Sequence, residues 1–209
     1  MKRELHVISN GKLSFAEFAD LAIRIQSAVD FFHIREREKT SRELFEGVKL
    51  LLDKGIPVEK VVVNDRVDIA LLLGISRVQI GYTSVDVRVL KNAFPHLHVG
   101  CSVHSLSEAL QAEQNGADSV LYGHLFQTHS KENMPPRGLD EITNIAQRLT
   151  IPTYGIGGIT PENVAYVLNT GVKGFAVMSG IIGVIDPVEQ ASAYRQMIRK
   201  WEKQIDENI

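Results

Sequence analysis

The sequence predicts an α/β protein, a (β/α)8 barrel in one domain spanning residues 1–209. Three observations predict it. Short runs rich in valine and isoleucine recur along the chain without clean polar alternation, the pattern of parallel strands buried on both faces. Stretches with apolar residues every three to four positions separate them. The last two runs end in glycine turns, Gly155-Ile156-Gly157-Gly158 and Met178-Ser179-Gly180, where such barrels hold phosphate. An open doubly wound sheet is the competing arrangement.

The expected strands are Leu5–Ser9, Asp30–Arg35, Lys60–Asn64, Arg77–Ile80, His98–Ser102, Ser119–Gly123, Pro152–Ile156 and Gly174–Met178. Between them, Ser14–Val29 carries Phe15, Phe18, Ala22, Ile25 and Val29 on one helical face. Ser41–Lys54 repeats this through Leu44, Phe45, Val48, Leu51 and Leu52 and stops at Gly55. A short helix is expected over Val67–Leu73. Ser105-Leu106-Ser107-Glu108 reads as a capping box opening Ser105–Asn115, closed by Gly116. Leu139–Leu149 follows. Thr160-Pro161-Glu162-Asn163 reads as a capped start of a helix over Pro161–Thr170. Pro187–Ile205 is the final helix. No linker, charge block or low-complexity stretch divides the chain.

Composition excludes several classes. Net charge is -2, which gives no general attraction to nucleic acid or anionic membrane. No apolar run approaches the roughly 18 residues of a membrane span, and no signal peptide is apparent. The one cysteine, Cys101, permits no internal disulfide and fits a cytoplasmic location; inside an apolar strand it is expected to be inert. His96, His98, His104, His124 and His129 show no structural-zinc spacing, and only Asp65 is placed as a hard-metal carboxylate, so neither metal nor cofactor is expected.

Active sites of such barrels lie just beyond the strands' carboxyl ends. After the second strand, alternation places His33, Arg35 and Arg37 on one side, and arginine forks suit carboxylate and phosphate. Arg37 could equally belong to a solvated ion-pair cluster. Asn64 could hydrogen-bond a ring heteroatom, or with Asp65 simply form a turn. Ser102 could donate to a ligand, whereas His104 reads better as a residue at a helix start. His124 follows Gly123 at the end of the sixth strand and titrates near neutrality, so it can take and return a proton; the commoner role of a lone histidine is structural. Thr128–Gly138 lacks periodicity and reads as a polar loop, a lid or a plain connection, from which Thr128 and Lys131 could reach a ligand. Main-chain donors at Gly157, Gly158, Met178, Ser179 and Gly180 point to a small phosphate ester.

His33–Arg37, Val63–Leu71, Gly100–Ser105, the loop after Gly123, Gly155–Thr160 and Ala176–Gly180 together resemble, in order, the thiamine phosphate synthase superfamily of (β/α)8 barrels acting on phosphorylated thiazole and pyrimidine precursors. Where its synthases carry glutamine and lysine around the second-strand arginine, this chain has His33 and Arg37. Their second magnesium aspartate is replaced by Ser84, and their proline after the sixth strand by His124. Thr128, Ser130 and Lys131 keep the loop chemistry. These departures resemble the TenI-type thiazole tautomerase branch. That resemblance implies a metal-free isomerase in thiamine biosynthesis, with His124 as catalytic proton shuttle and Arg35 or Arg37 clamping the carboxylate of a phosphorylated thiazole carboxylate. A homo-oligomer is compatible, since related barrels often pair. The alternatives are a retained synthase (a transferase), a non-catalytic regulatory paralogue, or a sugar-phosphate isomerase suggested by the phosphate turns alone.

Overall fold

The computed structural model describes residues 2–128 and 134–207. Eight parallel strands close into a barrel in chain order. They are β1 (Glu4–Ile8), β2 (Phe31–Ile34), β3 (Val61–Asn64), β4 (Arg77–Ile80), β5 (His98–Val103), β6 (Ser119–Gly123), β7 (Thr153–Ile156) and β8 (Gly174–Val177). β8 returns to β1 with Glu4 opposite Gly174 and His6 opposite Ala176, which closes the cylinder. The helices are α1 (Phe15–Ile25), α2 (Ser41–Asp53), α3 (Val67–Leu72), α4 (Val87–Ala93), α5 (Leu106–Gln114), α6 (Asp140–Arg148), α7 (Val164–Asn169) and α8 (Pro187–Asp206). The (β/α)8 expectation therefore holds, and the open sheet is excluded.

Side chains alternate along each strand, so the strands feed two different regions. Leu5, Val7, Phe32, Ile34, Val61, Val63, Val99, Val120 and Phe175 point outward into one apolar layer beneath the helices. Burying each such side chain contributes about 1.5–3 kcal/mol. The barrel lumen is different. Ile8, Leu121 and Ala176, with Tyr154, Ile156 and Met178, make a small apolar plug. Around it lie buried His6, His33, Gln79 and Ser119. Buried polar groups demand partners; His6 Nδ1 meets His33 Nε2 at 3.0 Å and Gln79 Nε2 donates to Ser102 Oγ at 3.0 Å.

The element bounds differ from expectation where local chemistry intervenes. α1 starts on a capping box, Ser14 with Glu17, but stops at Ile25 rather than Val29. Lys60 Nζ accounts for the early stop: it donates to the carbonyls of Gln26 and Val29 at 2.6 and 2.8 Å, stabilising a non-helical turn. Thr160-Pro161 does not open α7. Asn163 Oδ1 accepts the Thr160 amide at 2.9 Å, forming a separate turn ahead of the helix. At α5 only half of the expected capping box forms: Ser105 accepts the Glu108 amide, while the Glu108 carboxylate takes the His104 amide at 2.7 Å. α4 has no counterpart in the sequence expectation; its Asp86 cap accepts from the Arg88 amide. Among the described residues no helix is long and apolar enough to cross a membrane.

Candidate active site

The carboxyl ends of the strands carry Arg35, Asn64, Ser102, His124 and the two glycine turns at one end of the barrel. β7 ends in the Gly157-Gly158 turn, whose φ values of 100° and 66° lie in the left-handed region that favours glycine. Side chains are excluded there for a second reason. A Cβ on Gly157 would sit 2.4 Å from the His124 Cβ, and one on Gly158 would sit 2.4 Å from the Gln127 carbonyl oxygen. The turn is thus pressed against the segment leaving β6. Phe126 N–H donates to the Gly157 carbonyl at 3.0 Å, locking the two together. After β8 the chain tightens again: the Met178 carbonyl accepts the amides of Ile181 and Ile182 at 3.1 and 2.8 Å. Gly180 meets the Tyr194 hydroxyl, which donates to the Ile159 carbonyl at 2.7 Å and ties the second turn to the first. Among the described residues no acceptor takes the amides of Gly158, Ser179 or Gly180. They are donors available to an anion.

Across the mouth, Arg35 is half-buried and its amide donates to Ser9 Oγ at 2.9 Å. Burial, and then the charge of Arg37, lower its pKa, while Asp65 and Glu36 oppose this. The expected alternation of His33, Arg35 and Arg37 stops at Ile34, where the chain turns. Arg37 consequently lies exposed beyond the strand. Asp65 adopts φ 62°, rare for a non-glycine residue. Its Oδ1 accepts a hydrogen bond from Ser84 Oγ, and Ser84 Oγ accepts the Gly81 amide at 2.8 Å. Ser102 Oγ accepts from Gln79 Nε2 at 3.0 Å.

His33 is not at the rim. It is buried one layer down, with Nε2 3.0 Å from His6 Nδ1. Asn64, above it, is half-buried. His124 is also buried; its Nε2 lies 3.2 Å from the Met134 carbonyl. The far end of the polar loop is fastened beside it, with Arg137 N–H donating to the His124 carbonyl and Gly138 N–H to the Leu125 carbonyl. Thr128 is half-buried at the near end of that loop. Lys131, Ser130 and His129 lie outside the described residues. His104 behaves as a helix-start residue, its ring 3.5 Å from the Glu108 carboxylate. Cys101 is buried, and burial pushes its thiol up to about 12. Among the described residues no three histidine, cysteine or acidic side chains converge as a metal site.

Sequence reasoning missed Glu4, His6 and Tyr154, which continue the His33 contact down the lumen. The signal was present: Glu4 and His6 occupy alternate positions in a strand whose other residues are apolar.

Residues 5–181 match the family described as thiamine monophosphate synthase. The chain belongs to the thiamine monophosphate synthase family. It is 33% identical over 200 residues to a thiamine-phosphate synthase of Pyrococcus furiosus, covering 95% of this chain and 96% of that one. It is 37% identical over 189 residues to a thiamine-phosphate synthase of Desulfitobacterium hafniense, covering 87% and 88%. Among solved structures, a thiamine phosphate pyrophosphorylase from Pyrococcus furiosus superposes with a TM-score of 0.81 at 30% identity, covering 95% and 96%.

These relatives correct the functional expectation. They are named as synthases, which are transferases, so the isomerase reading and the TenI-type assignment are withdrawn. The departures at His33, Arg37, Ser84 and His124 leave the glycine turns, Arg35, Asn64 and Asp65 in place.

Proposed function

We propose that this protein is a thiamine-phosphate synthase, joining phosphorylated thiazole and pyrimidine precursors with release of pyrophosphate. The observation that carries this reading is the likeness to synthases over nearly the whole chain, combined with two anion-ready regions facing one mouth. The Gly157-Gly158 and Ser179-Gly180 amides suit the phosphate ester of the thiazole partner. Arg35, with Arg37 at the rim, suits the diphosphate of the pyrimidine partner, because a guanidinium fork meets phosphate oxygens in pairs. Asn64 and Ser102 orient the ring between them, and Thr128, half-buried after β6, suits a contact to the same ligand, as Lys131 does by its chemistry. Holding both reactants in one dry mouth converts a bimolecular step into a positioned one.

The family implies magnesium. A hard cation of this kind is commonly held by one or two carboxylates plus substrate phosphates. Asp65, fixed at the mouth by Ser84, fits the protein's share of such a site. When bound, the ion neutralises charge on the departing diphosphate. Arg35 adds positive charge from the protein side, and the cluster of Ile8, Leu121, Ala176, Ile156 and Met178 gives the lumen an apolar patch.

His124, expected as a proton shuttle, has no proton to move in this reaction. Its contact with the Met134 carbonyl suits it to anchoring the loop. Incubating the protein with both phosphorylated precursors and magnesium, while following pyrophosphate and thiamine phosphate together, tests the proposal. Stoichiometric appearance of both supports it. Absence of both with folded protein overturns it.

A further inference from the structure

The lumen holds a line of polar groups that the transferase reading does not use. At the floor, Tyr154 Oη donates to Glu4 Oε2 at 2.6 Å, and Lys173 Nζ lies 3.2 Å from Glu4 Oε1. Glu4 Oε2 faces His6 Nε2 at 3.5 Å, an electrostatic rather than a hydrogen-bond contact, and among the described residues His6 Nε2 has no hydrogen-bond partner. His6 Nδ1 is 3.0 Å from His33 Nε2. Asn64 is the next polar side chain up, close enough to His33 to support its basicity. The line thus runs from Tyr154 through Glu4, His6 and His33 to Asn64, from the barrel floor to its mouth. Both imidazoles are buried, with exposures of 6% and 3%. Burial lowers the pKa of each, and neighbouring Arg77 lowers both further, against Glu4 and Asp30 at His6 and Asn64 at His33. Both rings are therefore neutral at neutral pH, and each carries one N–H.

One end of this line is fixed. Burial raises the Glu4 carboxyl, but the His6 ring, then the Tyr154 hydroxyl and Lys173, outweigh it and bring it to about 2. A carboxylate accepts only. It draws the His6 proton to Nε2 and leaves Nδ1 as an acceptor. That acceptor draws the His33 proton to Nε2 in turn. His33 Nδ1 is left as an acceptor, and among the described residues neither it nor Asn64 Oδ1 has a hydrogen-bond partner. Asn64 stands two residues beyond Val62, the β3 partner of His33, and turning its amide, whose O and N are assigned from the network, gives His33 Nδ1 a donor. Asn64 Nδ2 then donates to His33 Nδ1, and Asn64 Oδ1 faces the mouth.

We propose that Glu4 and His6 are positioning residues that fix the tautomer of His33, and through it the amide of Asn64, so that the mouth offers an acceptor to an N–H donor group borne by a ligand. The ligand half of this statement rests on the mouth being the substrate site. The tautomer half does not, and it is tested on the free protein.

The experiment is nitrogen-15 NMR of histidine side chains in the full chain at neutral pH. His33→Asn identifies the His33 signals by their loss. His33 is expected as a neutral ring protonated at Nε2. A charged ring, or one protonated at Nδ1, overturns the proposal whatever the enzymatic activity. Glu4→Gln replaces the pure acceptor with a group able to donate to His6 Nε2, and it is expected to abolish the Nε2–H preference of His33 or reverse it. An unchanged, wholly Nε2–H His33 in a folded Glu4→Gln protein overturns the role of Glu4. If that variant does not fold, the wild-type spectrum still decides. A purely structural role for Glu4 changes stability without moving the proton on a ring two residues removed.

Discussion

Replacing Asp30 by asparagine tests the other end of the barrel. Asp30 stands just before β2 and accepts the Leu5 amide at 2.9 Å, Lys2 Nζ at 2.9 Å and the Arg195 guanidinium. Arg195, on α8, is 9% exposed and also donates Nε to the Ala28 carbonyl at 2.8 Å. The pair ties the last helix to the first two strands, where the cylinder closes. Lys2 is largely exposed, and its share is worth no more than about 1 kcal/mol. Arg195 carries the effect, because Asp30→Asn leaves its charge buried without a counter-ion. Breaking such a pair costs about 3–5 kcal/mol when fully buried; the residual exposure here places the expected loss at about 2–4 kcal/mol. Against a total of about 5–15 kcal/mol this is a large fraction. It corresponds to a melting temperature lower by about 5–15 °C for a chain of this length.

The pH dependence has a definite sign. Burial raises the Asp30 pKa, but the Arg195 and Leu5 hydrogen bonds outweigh it and the net shift is downward. A depressed carboxyl contributes stability above its unfolded pKa of about 3.9 and loses it as pH falls through the folded value. The gap between wild type and Asp30→Asn is therefore expected to be full at pH 7 and to shrink below about pH 4. Urea denaturation across this range measures it. A loss under about 1 kcal/mol at pH 7, or a gap as wide at pH 3 as at pH 7, would refute the assignment of the stabilisation to this ion pair.

Two further outcomes follow from the site. Gly158→Ala forces a left-handed φ of 66° on a residue whose Cβ meets the Gln127 carbonyl, so calorimetry should show weaker binding of the thiazole phosphate, by about tenfold or more, and a stability loss of about 1–3 kcal/mol; unaltered affinity would remove the turn from the phosphate site. The Cys101 thiol, buried and raised to about 12, should resist a thiol reagent in the native protein at pH 8 and react at once in denaturant; rapid native labelling would contradict its place in the barrel wall.

The barrel was legible in the chain because both of its layers are written locally. Val61–Val63 and Val99 read as buried strands, and Phe18, Ala22 and Ile25 mark one helical face. Helix ends were less legible, because a distant group decided them: Lys60 stops α1 from another element. The glycine turns are visible in the sequence, and at Gly157-Gly158 the need for glycine is twofold, backbone angle and contact with His124 and Gln127.

The sequence by itself determined the order of eight strand–helix units, the glycine turns and the charged residues at the strand ends, since each depends on spacing within a few residues. Only the tertiary structure decided what those residues face. Closure of β8 on β1 brings Glu4 to Tyr154, 150 positions away, while the pairing of β1 with β2 brings His6 to His33. The packing of the loops after β3, β4 and β6 likewise sets Ser84 on the Asp65 carboxylate and turns His124 toward the Met134 backbone. Such meetings depend on barrel closure and stagger, which are properties of all eight strands at once and are carried by no single stretch of chain.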